Sequence, residues 1–254
     1  MMYDEKRRQE ALHPQPLEST MTKTTEKTGK IEILKDGPYL VSGNLPLNTE
    51  TIGTNTAGES VRWQKGPAIE CGDQYTLCRC GHSANKPFCD GTHSGVGFDG
   101  TETASRISYR SQAVTFDGPR LSLLDAEELC AFARFCDPHG RVWNLVRRTD
   151  APEARRNFLR EVADCPAGRL VARDKETGEL IEPDLSPSLA LIEDPSQRCS
   201  GPVWVRGGVP VVGADGVFYE LRNRVTLCRC GTSQNKPFCD GSHADAGFNA
   251  NSSS

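Results

Sequence analysis

Cys78, Cys80, Cys89 and His93 stand at offsets 0, 2, 11 and 15 within "LCRCGHSANKPFCDGTH". Cys228, Cys230, Cys239 and His243 repeat those offsets within "LCRCGTSQNKPFCDGSH". Deprotonated thiols and imidazoles are metal ligands. In an extended segment residues i and i+2 face one side, so Cys78 and Cys80 can converge while Arg79 faces away. Cys89 and His93, four apart, share one face of a helical turn, with Asn85 as its expected N-cap and Pro87 in its first turn. Such a helix start aims backbone N–H groups at an anionic centre, and Gly91 permits close backbone approach. Two ligand pairs from two elements fit a two-metal centre. They also fit one zinc, since three Cys and one His form an accepted structural set, although zinc knuckles more often space their cysteines by two residues. Reduced cysteines packing a small core have no need of the same four offsets twice.

The string Cys78, Cys80, Ser83, Pro87, Cys89, Asp90, Gly91, His93, with its copy Cys228, Cys230, Ser233, Pro237, Cys239, Asp240, Gly241, His243, resembles the CDGSH iron–sulfur domain of mitoNEET-like proteins. The resemblance covers about 18 residues per copy. It implies two 2Fe-2S clusters, each on three Cys and one His, with the C-x-C pair on the inner iron and the last Cys and the His on the outer one. Three thiolates leave such a centre less negative than four, which makes reduction easier. The ligating imidazole must be unprotonated, so acid is expected to loosen both clusters at His93 and His243. His82 matches Thr232 in the second copy and reads as a solvated neighbour, not a ligand; His139 and His13 read as surface groups.

These ligands need elements to hold them. Thr76–His93 and Thr226–His243 match at 15 of 18 positions, with an offset of 150. Upstream, "DGPYLVSGNLPL" resembles "SGPVWVRGGVPV" with an offset of 164, so the first copy carries about 14 extra residues, expected as a polar loop over 48–60. Each copy reads as short strands leading into a ligand segment; in the second copy the strands are expected at 203–205, 209–212 and 217–221. Between the copies, 122–135 and 151–165 read as helices, 141–146 as a strand, and 174–200 as a connecting loop. The fold expected is α+β: two small β-rich cluster modules, 31–100 and 199–250, flanking a ferredoxin-like α+β middle domain, 101–198. Residues 1–30 read as a disordered tail, with Met21 as a candidate start.

Within the middle segment, Cys130 and Cys136 are followed by Cys165-Pro166. This C-x5-C…C-P arrangement resembles the divergent single-cluster ferredoxins, which implies a 3Fe-4S or 4Fe-4S site; three cysteines suit 3Fe-4S unless Cys71 or Cys199 supplies a fourth. If the 122–135 helix continues through Cys136, six residues rotate the side chain by about 600° and the thiols diverge by about 120°. They are then buried structural cysteines in a ferredoxin-like fold without metal, which is the expectation here. Cys71 and Cys199 read as structural or free thiols.

Composition narrows the function classes. The chain has 254 residues, 36% of them hydrophobic, with 24 Gly and 16 Pro, so its cores are small and its turns many. A net charge of −4 argues against nucleic-acid binding. No apolar run reaches the length of a membrane span. Eleven cysteines without a secretory signal argue against a disulfide framework and for a cytoplasmic protein. No nucleophile–base pair or phosphate loop stands out. The expected function is therefore an electron or cluster carrier, not an enzyme, whose partners are redox proteins or apo cluster acceptors. A redox or iron sensor and a zinc-stapled interaction module are the alternatives. A monomer built as an internal pseudo-dimer, or a homodimer, would serve.

Overall fold

The computed structural model describes residues 29–251. The tail up to residue 28, His13 included, lies outside the described residues.

In the first copy, β1 (Lys30–Ile33) and β2 (Tyr39–Ser42) form a hairpin, followed by β3 (Leu47–Thr54), β4 (Ser60–Ile69), β5 (Gln74–Leu77) and a one-turn helix α1 (Thr92–Gly95). The middle segment carries α2 (Tyr109–Gln112), β6 (Val114–Asp117), β7 (Leu121–Asp125), α3 (Val142–Leu145), α4 (Pro152–Asp164), β8 (Leu170–Asp174) and β9 (Leu180–Ile181). The second copy follows as β10 (Ser188–Asp194), β11 (Cys199–Arg206), β12 (Val211–Val212), β13 (Arg224–Leu227) and α5 (Ser242–Asp245).

The two copies exchange strands. One sheet runs β12-β1-β2-β5 and another β13-β11-β10-β3-β4. Thus β12 of the second copy pairs in parallel with β1 of the first, Ile31 opposite Val211. In return β3 of the first copy pairs in parallel with β10, Leu47 opposite Leu189. Both sheets turn one face onto a single core, where Ile31, Tyr39, Val41, Leu47 and Leu77 meet Leu189, Val203, Val205, Val211 and Leu227. Alternation produces this: Ile31 and Ile33 are buried while their neighbours in β1 are half-exposed.

The stretch expected as a polar loop at 48–60 is mostly strand. β3 and β4 pair from Leu47–Ile69 to Thr54–Ser60, and the turn between them is closed by Asn55, whose Oδ1 accepts from the N–H groups of Ala57 and Glu59. The hairpin carries Ile52 and Trp63 onto Phe135 and Trp204, and so ties the first copy to the middle segment.

The middle segment is a four-stranded antiparallel sheet, β6-β7-β8-β9, packed on α3 and α4. Helix α4 lies where its periodicity placed it, burying Ala154, Phe158 and Val162 with Pro152 in its first turn. Three expectations fail. Residues 121–125 form a central strand buried throughout, with Leu121, Leu123 and Leu124 in apolar cores while Ser122 and Asp125 are paired with Asp117 and Arg169. Residues 142–145 form a helical turn, with Val142 and Leu145 inward at i and i+3. The expected loop at 174–200 contains β9 and β10. In the second copy, 217–221 makes only an isolated bridge, Phe218 to Val212, with Phe218 and Leu221 exposed. Among the described residues no helix is long and apolar enough to cross a membrane.

Candidate metal centre

Each ligand segment is laid down by the same hydrogen bonds. The N–H of Cys78 donates to Pro87 O at 2.8 Å and that of Cys89 to Thr76 O at 3.0 Å; Cys228 to Pro237 and Cys239 to Thr226 repeat this at 2.8 and 2.9 Å. The motif serine closes the intervening loop: Ser83 Oγ donates to Phe88 O at 2.6 Å and accepts from Asn85 N at 3.0 Å, and Ser233 does the same with Phe238 and Asn235. Asp90 ties the loop to the helix, accepting from Ala84 N at 2.7 Å and Thr92 N at 3.0 Å, as Asp240 does from Gln234 N and Ser242 N. Gly91 and Gly241 turn the chain at φ 89° and 92°, a left-handed conformation that favours glycine.

The helical turn starts later than the i, i+4 spacing suggested. Asn85 and Pro87 lie in a turn with a cis Lys86-Pro87 bond, and α1 begins at Thr92 behind Gly91, so Cys89 precedes the helix. Its partner is still the histidine. Cys89 Sγ lies 3.3 Å from His93 Nδ1 and Cys239 Sγ 3.4 Å from His243 Nδ1. Cys78 and Cys80 hold their sulfurs 3.7 Å apart, Cys228 and Cys230 theirs 3.6 Å. Two bonds of about 2.3 Å at a tetrahedral angle put two sulfurs about 3.8 Å apart. All four pairs therefore have the spacing of donors on one metal. Among the described residues no three His, Cys, Asp or Glu side chains converge on one point; the donors stand in pairs.

The electrostatics favour one ionised sulfur in each C-x-C pair, while burial raises the Cys239 thiol. In the first copy the close Cys78–Cys80 contact lowers the Cys78 thiol to about 5 while Cys80 is pushed up. In the second copy Cys230 falls to about 6 through the same contact, and Cys228 rises. Each pair thus sheds one proton readily and holds the other against a neighbouring thiolate, until a cation takes that proton's place. Backbone N–H groups point at the sulfurs: His82 N at Cys80 Sγ, Gly91 N at Cys89 Sγ, Gly241 N at Cys239 Sγ. The His82 ring itself is exposed.

The sequence places Arg79 facing away from the ligands but does not anticipate that it and Arg229 are buried. Arg79 is 1% exposed and donates to the carbonyls of Gly37, Gly100 and Leu34. Arg229 is 5% exposed and donates to Gly201 O, Ile192 O and the Glu193 carboxylate. Each buried guanidinium is thus satisfied mainly by backbone carbonyls, which anchor the chain between the two cysteines. The signal was available: a charged residue between two buried same-side ligands must enter the protein on the opposite side.

The two outer pairs differ in cover. Cys89 and His93 are half-buried, whereas Cys239 and His243 are buried, and burial, with Arg229 nearby, lowers the His243 imidazole to about 4.

Cys130, Cys136 and Cys165 line one pocket without converging on a single metal-ion position. The expected helix is replaced by a single 3-10 turn over Glu127–Leu129 and then a loop in which Phe132 and Arg134 adopt positive φ, 57° and 61°. The loop is held by Arg134 donating to Asp194 at 2.7 Å and by Phe135 on Trp63, ring centres 4.6 Å apart. It wraps the three cysteines and Arg169 around one small pocket of about 30 Å3. Burial pushes the Cys136 thiol up to about 12 and raises that of Cys165. Cys71 packs against the β core and Cys199 is buried at the start of β11; neither lines this pocket. His139 does have a partner, the buried Glu161, at 3.2 Å.

Residues 36–94 and 200–244 match the family described as iron-binding zinc finger CDGSH type. Residues 116–175, with all three middle cysteines, match the family described as divergent 4Fe-4S mono-cluster. No curated protein and no solved structure matches the chain. The chain thus carries two CDGSH-type iron-binding segments on either side of a segment of the divergent 4Fe-4S mono-cluster type, which makes it an iron–sulfur protein.

Proposed function

We propose that the chain is a one-electron carrier holding two 2Fe-2S clusters, one on Cys78, Cys80, Cys89 and His93 and the other on Cys228, Cys230, Cys239 and His243. A third cluster, 3Fe-4S or 4Fe-4S, is assigned to Cys130, Cys136 and Cys165. The observation that carries the reading is the pairing of donors at 3.3–3.7 Å, the same in both copies. Such clusters supply one-electron chemistry. The chain's residues do the rest: each His presents Nδ1 beside a cysteine, backbone N–H groups compensate the sulfur charge, buried arginines anchor the C-x-C segments, and the shared core holds the donors in place.

Electron transfer is favoured over cluster donation because Cys228, Cys230, Cys239 and His243 are all buried. Cluster release at the first site is the second reading, supported by its half-exposed Cys89 and His93. Strand exchange within one chain supports a monomer, and free thiols throughout support a reducing cytoplasm. The partners are one-electron redox proteins.

The test is iron, sulfide and zinc analysis with visible and EPR spectra on anaerobically purified protein. About four irons and four sulfides are expected from the paired sites, and about three or four more irons from the middle site. Colourless protein with stoichiometric zinc would overturn the reading.

A further inference from the structure

We propose that the three donor sets form one electron path in the order middle segment, second copy, first copy, with the Cys89–His93 edge as its exposed end. This rests on the cluster assignments above and adds their connection.

The first link lies between the middle segment and the second copy. Cys239 packs in one cluster with Ala131, Ala167 and Cys165. A Cβ on Gly241 would stand 3.2 Å from Phe132 Cβ and 3.4 Å from Cys130 O. Asn235 Nδ2 donates to Glu128 O at 2.8 Å beside it. The loop bearing Cys130 therefore lies directly on the outer pair of the second motif.

The second link joins the two copies. The turns after each C-x-C pair cross back to back: a Cβ on Gly81 would fall 2.4 Å from Cys230 O, and one on Gly231 2.4 Å from Cys80 O. Tyr39 Oη donates to Cys228 O at 2.7 Å across the same boundary. The inner ligands of both copies thus meet through backbone, with no intervening layer of side chains.

The far end has no such cover. Around Gly91, the counterpart of Gly241, nothing lies within 4 Å of the Cβ position, and Cys89 and His93 are half-buried. The middle segment occupies one outer-ligand surface and leaves the equivalent surface free. One electron from a low-potential one-electron donor enters at one end and passes to a one-electron acceptor at the other; no bond to the protein forms or breaks.

The test is EPR of the full chain, poised so that all centres are paramagnetic. The second copy's signal should be split or broadened by the middle centre. Cys165→Ser should remove that interaction and leave the first copy's signal shape unchanged. Cys228→Ser should leave the middle and first signals magnetically independent of each other. His243→Cys provides a second variant that keeps four ligands while moving the second copy's signal, and the splitting of the middle signal should follow it. Full iron content with three independent signals, or middle–first coupling stronger than middle–second, overturns the path alone. Missing iron at the middle site overturns the cluster assignment, and iron analysis separates the two failures.

Discussion

The hydroxyl of Tyr39, fully buried in the first copy, donates to the carbonyl of Cys228 in the second at 2.7 Å, and stands 3.2 Å from Pro237 O. A strand residue of one half thereby fixes the ligand backbone of the other, 189 positions away.

Tyr39→Phe leaves the buried Cys228 carbonyl short of a donor, a cost of about 1–3 kcal/mol. The change should lower the urea midpoint and hasten loss of the second copy's EPR signal more than the first's. Equal loss from both sites would show that the bond does not hold the second motif in particular.

The cover over the two outer pairs sets their order of failure. The half-exposed Cys89 and His93 should surrender their cluster to acid or chelator before the buried Cys239 and His243 do. His93→Cys should slow acid loss at the first site and lower its potential, on the order of 100 mV, because a thiolate adds negative charge. Site-resolved EPR during a pH jump reads the first outcome, and a redox titration the second.

Arg79 donates three hydrogen bonds to carbonyls while 1% exposed. Arg79→Met removes the cation and leaves those acceptors unpaired, costing roughly 2–4 kcal/mol. The first site's potential should fall as well, since the positive charge that favours reduction is gone. Denaturation curves and a redox titration of the same variant check both effects.

Burial raises the Glu161 carboxyl from 4.5 to about 8; its Oε1 faces His139 and its Oε2 has no partner. The native state therefore holds a proton that the unfolded chain has already lost between those values. This contribution to stability is full below about 4.5 and disappears as pH rises through about 8. Glu161→Gln should flatten that dependence and stabilise the protein at pH 9 by on the order of 2–4 kcal/mol relative to wild type. Urea unfolding at pH 6 and pH 9 measures it, and unchanged slopes in both proteins would refute the assignment.

What the sequence determined was local. The two-residue spacing keeps Cys78 and Cys80 side by side, although the chain bends there just past the end of β5 and is not extended as expected, and the short Cys89–His93 loop closes on its own Asp90 and Ser83 bonds. Both were legible from spacing, and the repetition of the offsets made metal the simplest cause. Helix α4 was legible for a similar reason, being long and strongly periodic.

Tertiary structure decided the rest, because it depends on partners far away in the chain. Residues 121–125 are a strand and not a helix since β6 and β8 flank them and both faces are covered. Residues 48–60 are mostly strand since β10 offers an edge for β3. Phe132 and Arg134 accept positive φ because Asp194 and Trp63 hold the loop, and only that bend brings Cys136 to Cys130 and Cys165. The sharpest case is the pair of motifs themselves. Their ligand segments differ at three positions, yet Gly241 lies under Phe132 and Gly91 lies open, so nearly identical residues acquire different exposure solely from what packs above them.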